Sequence, residues 1–167
     1  MASKPGKPGK PGTLPPRWAS VDPARSSGVA VWEGAALVRV ALLVDPRHAD
    51  WREAFEGCEL VVAEDAYIRH DVSRASYGTM RRSVGVMADA AGEVGAHLVM
   101  RPPSEWRAPL GFPRAADAAK ATALGTLRAL VASGRLPIAG DAVEARQFDM
   151  VEAVMIGVSE LIRAGRW

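Results

Sequence analysis

The feature that most constrains this chain is the crowding of three strand-like runs near its start. "WASVD", "GVAVW" and "ALVRVALLV" are aliphatic and β-branched, and only "PARSS" and "EGA" separate them. Links that short join antiparallel strands, because a parallel pair needs a crossover of a dozen or more residues. The chain therefore opens as an antiparallel meander, with Asp22 standing where its first strand ends.

Beyond Val44 the pattern changes. "HADWREAFEG" is short, charged and closed by Gly57, which predicts one helix, and "CELVVAED" after it predicts a fourth strand. "SRASYGTMRRSVGVMADAAGEVG" places Tyr77, Met80, Val84, Met87 and Ala91 three and four residues apart, an amphipathic helix weakened by Gly78 and Gly85. "AHLVMR" is a fifth strand, stopped by Pro102 and Pro103. The remainder is helical: "AADAAKATALGTLRALVASG" is rich in Ala and Leu. "DAVEARQFDMVEAVMIGVSELIRAG" is read as a final helix with Val151, Val154, Met155, Val158, Leu161 and Ile162 along one stripe. The order β-β-β-α-β-α-β-α-α implies an α/β fold, a mixed five-stranded sheet flanked by helices on both faces.

At 167 residues, with 49% hydrophobic and 24% charged side chains, the chain is of a size and composition to bury one core unaided. No apolar run approaches the roughly 18 residues that span a bilayer, and the N-terminus lacks a signal-peptide core, so the cytoplasm is the expected compartment. The single Cys58 suits a reducing compartment. A net charge of +2 permits a polyanionic partner without demanding one. Residues 1–16, "MASKPGKPGKPGTLPP", repeat KPG without an apolar period and are read as a disordered basic Pro/Gly tail, either solubilising or an arm for phosphates. Residues 17–167 form the folded domain.

Four acids stand out by position: Asp22 ends the first strand, Glu64 the fourth, and Asp149 and Glu152 lie three apart on the last helix, on one surface of it. If the first and fourth strands are neighbours, Asp22 and Glu64 emerge side by side. Taken singly, Asp22 before Pro23 also serves as a turn-former, as Asp45 before Pro46 does, and Asp149 and Glu152 suit a wet helix face. Strand register decides whether Glu64 or Asp65 faces inward, and Glu64 is favoured. Four converging carboxylates repel one another unless cations neutralise them. Hard oxygen donors select Mg²⁺ or Mn²⁺ over zinc. Two such ions about 4 Å apart activate a water and stabilise a leaving oxygen in phosphodiester hydrolysis.

In ordered sequence segments the chain resembles the RuvC-type Holliday-junction resolvases of the ribonuclease H-like superfamily. "SVDPARSSGVAVW" resembles that family's first hairpin, and "VVAEDAYIRHDVSRASYGTMRRSVGVMADAA" its fourth strand, catalytic Glu and following helix. "VMRPPSEWRAPLG" resembles the stretch after the fifth strand, and "DMVEAVMIGV" the closing helix. The resemblance implies a homodimeric endonuclease that binds a four-way DNA junction and nicks two opposed strands symmetrically, with Asp22, Glu64, Asp149 and Glu152 as metal ligands and catalytic residues. The family usually carries Asp where this chain has Glu152. It also implies that Tyr67 stacks on a base at the junction crossover and that Arg107 lies near the scissile strand. Arg69, Arg74, Arg81 and Arg82, and later Arg114 and Lys120, are candidate phosphate clamps or, individually, members of a solvated face.

Two other readings stay open. One is a junction-binding module whose metal site is impaired by Glu152. The other is an actin-like ATPase, which also begins with an Asp on a β-hairpin, although "DPARSSG" is poor in Gly and the chain is short for two lobes. His97 is expected in the core, and Trp51, Trp106 and Trp167 are read as packing residues.

Overall fold

A computed structural model describes residues 13–65 and 74–167, with the side chains of 74–77 and 80 excepted. Its strands are β1 (Arg17–Asp22), β2 (Ser26–Glu33), β3 (Ala36–Val44), β4 (Leu60–Glu64) and β5 (His97–Arg101). Its helices are α1 (His48–Ala54), α2 (Arg74–Glu93), α3 (Pro103–Arg107), α4 (Ala116–Ala132), α5 (Gly140–Glu144) and α6 (Phe148–Arg163), with 3₁₀ turns at Ala108–Leu110 and Pro137–Ala139. The strand order is β3-β2-β1-β4-β5. The first three strands pair antiparallel, whereas β1 with β4 and β4 with β5 run parallel, which is the mixed sheet the sequence predicts.

Alternation along the strands splits the core into two layers. Ala19, Val21, Val61 and Ala63 point to a layer shared with Trp51 of α1, Phe55 just after that helix, and Met87, Ala90 and Ala91 of α2. Trp18, Trp32 and Val62 point to the opposite layer, shared with Ala123 and Leu127 of α4 and with α6. Every residue of α6 from Val151 to Leu161 is buried, so this helix has no wet face over that span, unlike the single stripe read from its sequence.

Two close approaches seat α6 on the sheet. The Trp32 ring lies where a Cβ on Gly157 would be, so only glycine fits there. Trp32 also stacks on Trp18, with ring centroids 5.3 Å apart, and donates its indole N–H to Ser20 Oγ at 2.9 Å. Ser20 in turn donates to the Ala153 carbonyl at 2.7 Å.

Three sequence expectations are corrected. The final helical stretch is two helices, because Arg146 takes a positive φ of 50° and the Gln147 N–H bonds back to the Ala142 carbonyl at 3.1 Å, redirecting the chain before α6. His97 is exposed because it opens β5, the edge strand of the sheet, which is paired on one side only, with β4. The prolines that stop β5 also start a helix: Pro103 opens α3, where a missing N–H costs nothing. Within the segment read as a tail, residues 1–12 lie outside the described residues. Leu14 packs against the core, and the Pro16 carbonyl accepts the Gly34 N–H at 2.7 Å.

Candidate active site

Strand parity decides where the acids point. Asp22 follows Trp18 and Ser20 on the β1 face toward α6, and Glu64 follows Leu60 and Val62 on the same face of β4. Asp65 falls on the other parity and is exposed. The parallel register, Val21 opposite Ala63, then brings the carboxyl ends of β1 and β4 level.

The first turn of α6 supplies the remaining acids. Asp22 is directly opposite Gly28 in the β1–β2 ladder, and the Asp149 carbonyl lies where a Gly28 Cβ would be. Without that side chain, the start of α6 settles against β2, next to Asp22. Asp22, Glu64, Asp149 and Glu152 all line one cleft of about 780 Å³. Arg107, Arg114 and Lys120 share its lining, and Pro102, Pro103, Phe112 and Pro113 give it an apolar side. The turn leading in from β1 is fixed by Ser27, whose hydroxyl accepts from the Ala24 N–H at 3.0 Å and donates to the Ala24 carbonyl at 2.8 Å.

Lys120 and Arg107 offset part of the negative charge in this cleft. Burial, then the Glu152, Glu64 and Asp149 carboxylates, push Asp22 well above the ordinary carboxylate range, against the pull of Lys120. Burial pushes Glu64 up to about 7, an effect its hydrogen bond from Trp106 offsets in part and Glu152 reinforces. Glu152 is raised mainly by burial, opposed by Lys120 and Arg107 and by a hydrogen bond with Asp22. Asp149 is raised by burial and lowered by Lys120. Arg107 Nη2 lies 3.4 Å from Glu152 Oε1, and the Trp106 indole N–H donates to Glu64 Oε2 at 2.6 Å. Arg107 Nε is buried with no hydrogen-bond partner among the described residues.

Among the described residues, no three His, Cys, Asp or Glu side chains stand in an arrangement that holds a metal as they are. Glu64 and Glu152 are instead engaged by Trp106 and Arg107. The donor set nevertheless suits Mg²⁺ or Mn²⁺: all four side chains are carboxylates, they face one cleft, and their mutual repulsion is relieved by added positive charge.

The other candidates fall differently. Arg81 and Arg82 are exposed on α2 and do not line the cleft, and Arg74 begins that helix. Tyr67 and Arg69 lie outside the described residues. Trp51 and Trp167 pack as read, whereas Trp106, also fully buried, bonds a site acid. Nothing in the sequence separates Trp106 from Trp51, whose buried indole N–H has no hydrogen-bond partner among the described residues.

No protein-family model matches the sequence, and no curated protein does. Solved structures do. Thermus thermophilus RuvC in complex with a Holliday junction substrate superimposes with a TM-score of 0.64, covering 90% of this chain and 96% of that one at 17% identity. The fold is that of RuvC. A second Thermus thermophilus RuvC structure gives a TM-score of 0.59 at 19% identity, covering 90% of this chain and 97% of that one. The RuvC fold is ribonuclease H-like, with the same mixed sheet and flanking helices. Among the described residues, no helix is long and apolar enough to cross a membrane.

Proposed function

We propose that this protein is a metal-dependent, structure-selective endodeoxyribonuclease that resolves four-way DNA junctions. The observation that carries the reading is the convergence, in a chain with the RuvC fold, of Asp22, Glu64, Asp149 and Glu152 on one cleft that also holds Arg107, Arg114 and Lys120. Carboxylates alone would repel a phosphodiester, and the three cations around them make its approach favourable. The Thermus thermophilus RuvC structure with a TM-score of 0.64 holds a Holliday junction substrate, which supports branched DNA as the substrate class.

In this reading Asp22, Glu64, Asp149 and Glu152 hold Mg²⁺ or Mn²⁺, two per site. Bound there, the ions supply the Lewis acidity that activates a water and stabilises the departing oxygen. With Glu152 as a metal ligand, Arg107, whose Nε has no hydrogen-bond partner among the described residues, would be available to clamp a phosphate. Symmetric cutting needs two such sites, hence a homodimer, acting in the cytoplasm where the chain meets DNA. Arg81 and Arg82 on α2 extend the DNA contact beyond the cleft, and Tyr67 has the base-stacking role the resemblance implies.

The test is a synthetic four-way junction incubated with the protein and Mg²⁺ or Mn²⁺ separately, scored for paired nicks on opposed strands. Nicks that need the metal and vanish in Asp22→Asn support the reading. Cutting without metal, or an undiminished Asn variant, overturns it. Tight junction binding with no nick under either metal would leave a junction-binding protein in its place.

A further inference from the structure

We propose that Trp106 is a positioning residue of this site, its indole N–H fixing the Glu64 carboxylate while its ring face carries the Arg107 guanidinium that engages Glu152. The inference deepens the nuclease reading, and rests on it only where nicking is measured.

The geometry has three parts. Trp106 is fully buried, and its N–H meets Glu64 Oε2 at 2.6 Å, a short bond of the kind a carboxylate accepts. The Arg107 guanidinium carbon stands 5.0 Å from the Trp106 ring centroid, within cation–π range, and the same guanidinium lies 3.4 Å from Glu152. A single side chain therefore links an acid at the end of a strand to an acid on a helix.

The helix that carries Trp106 is itself held from behind. Arg101 donates to both oxygens of Glu160 on α6, at 3.0 and 3.3 Å, and lies 3.5 Å from Glu105 of α3. Arg163 donates to the Glu105 carbonyl at 2.7 Å. Such a clamp on a five-residue helix keeps the indole from drifting. A residue present only to fill volume needs neither a donor aimed at a site acid nor an anchored helix.

Two substitutions separate donor from volume. Trp106→Phe keeps an aromatic ring and loses the N–H. Trp106→His keeps a ring N–H at the equivalent place, beside a lost benzo ring. For wild type and both variants, Mn²⁺ affinity is measured by electron paramagnetic resonance, thermal midpoint by circular dichroism, and nicking on a synthetic junction. Positioning predicts that Mn²⁺ affinity falls in the order wild type, His, Phe, with Phe losing about 10- to 100-fold, while the thermal midpoint places Phe above His. Affinity that follows the thermal order, or stays at the wild-type value in Phe, overturns the proposal, as does a wild-type chain that binds no Mn²⁺. If the wild type binds Mn²⁺ but nicks no junction, the nuclease reading fails while the affinity order still judges Trp106.

Discussion

Gly28 and Asp149 meet backbone against backbone, the glycine of β2 beneath the carbonyl that begins the first turn of α6. Any Cβ at position 28 displaces that turn, and with it two of the four acids. Gly28→Ala is expected to cost about 1–3 kcal/mol, lowering the thermal midpoint by roughly 2–4 °C per kcal/mol. It should also weaken Mn²⁺ binding, read by titration. Unaltered binding in a stably folded variant would contradict this role for Gly28.

Asp22 is a buried acid among three others, so its charge is a burden on the metal-free fold. Asp22→Asn should raise the thermal midpoint measured in chelator and abolish the further rise that Mg²⁺ gives the wild type. A lower midpoint in chelator would show that the repulsion is not felt.

Acid titration should leave a signature in stability. The Glu64 carboxyl is raised from the ordinary 4.5 to about 7, so between those values the folded protein keeps a proton that the unfolded chain has released. The contribution of Glu64 to stability is then complete below pH 4.5 and is lost as pH rises through about 7. Urea unfolding at a series of pH values in chelator should show a fall across this window that is shallower in Glu64→Gln. Parallel curves for the two proteins would refute the assignment.

Arg107 and Glu152 form an ion pair with side chains only 14% and 7% exposed. Arg107→Ala strands a buried carboxylate, a loss of about 3–5 kcal/mol where no metal compensates. If the arginine also meets a phosphate, the salt dependence of junction binding should weaken by about one unit of slope in log affinity against log salt. An unchanged slope would confine Arg107 to its protein partner.

The sequence carried the framework well because short links and two-residue alternation are local physics. Hairpin spacing set β1 to β3, and the parity of Trp18, Ser20 and Asp22 aimed the first acid at α6. Glu64 over Asp65 is a preference in the sequence, because the register that decides it comes from the pairing of β4 with β1. What escaped depended on contacts distant in sequence or on segments too short to show a period. Helices α3 and α5 have five residues each. The break at Arg146 uses a left-handed arginine, where no Gly, Asn or Pro announces a stop. Trp106 looked like any buried tryptophan until its acceptor, 42 positions away, was seen.

Helix α6 is enclosed on every side from Val151 to Leu161, wedged by Trp32 against Gly157. Its backbone cannot slide or tilt to bring an acid nearer a ligand without breaking the core. Chemical tuning of this corner is therefore confined to the length of the side chains it presents. A glutamate at 152, one methylene longer than an aspartate, is the kind of adjustment such a rigid mount leaves open, and it is long enough to touch both Asp22 and Arg107.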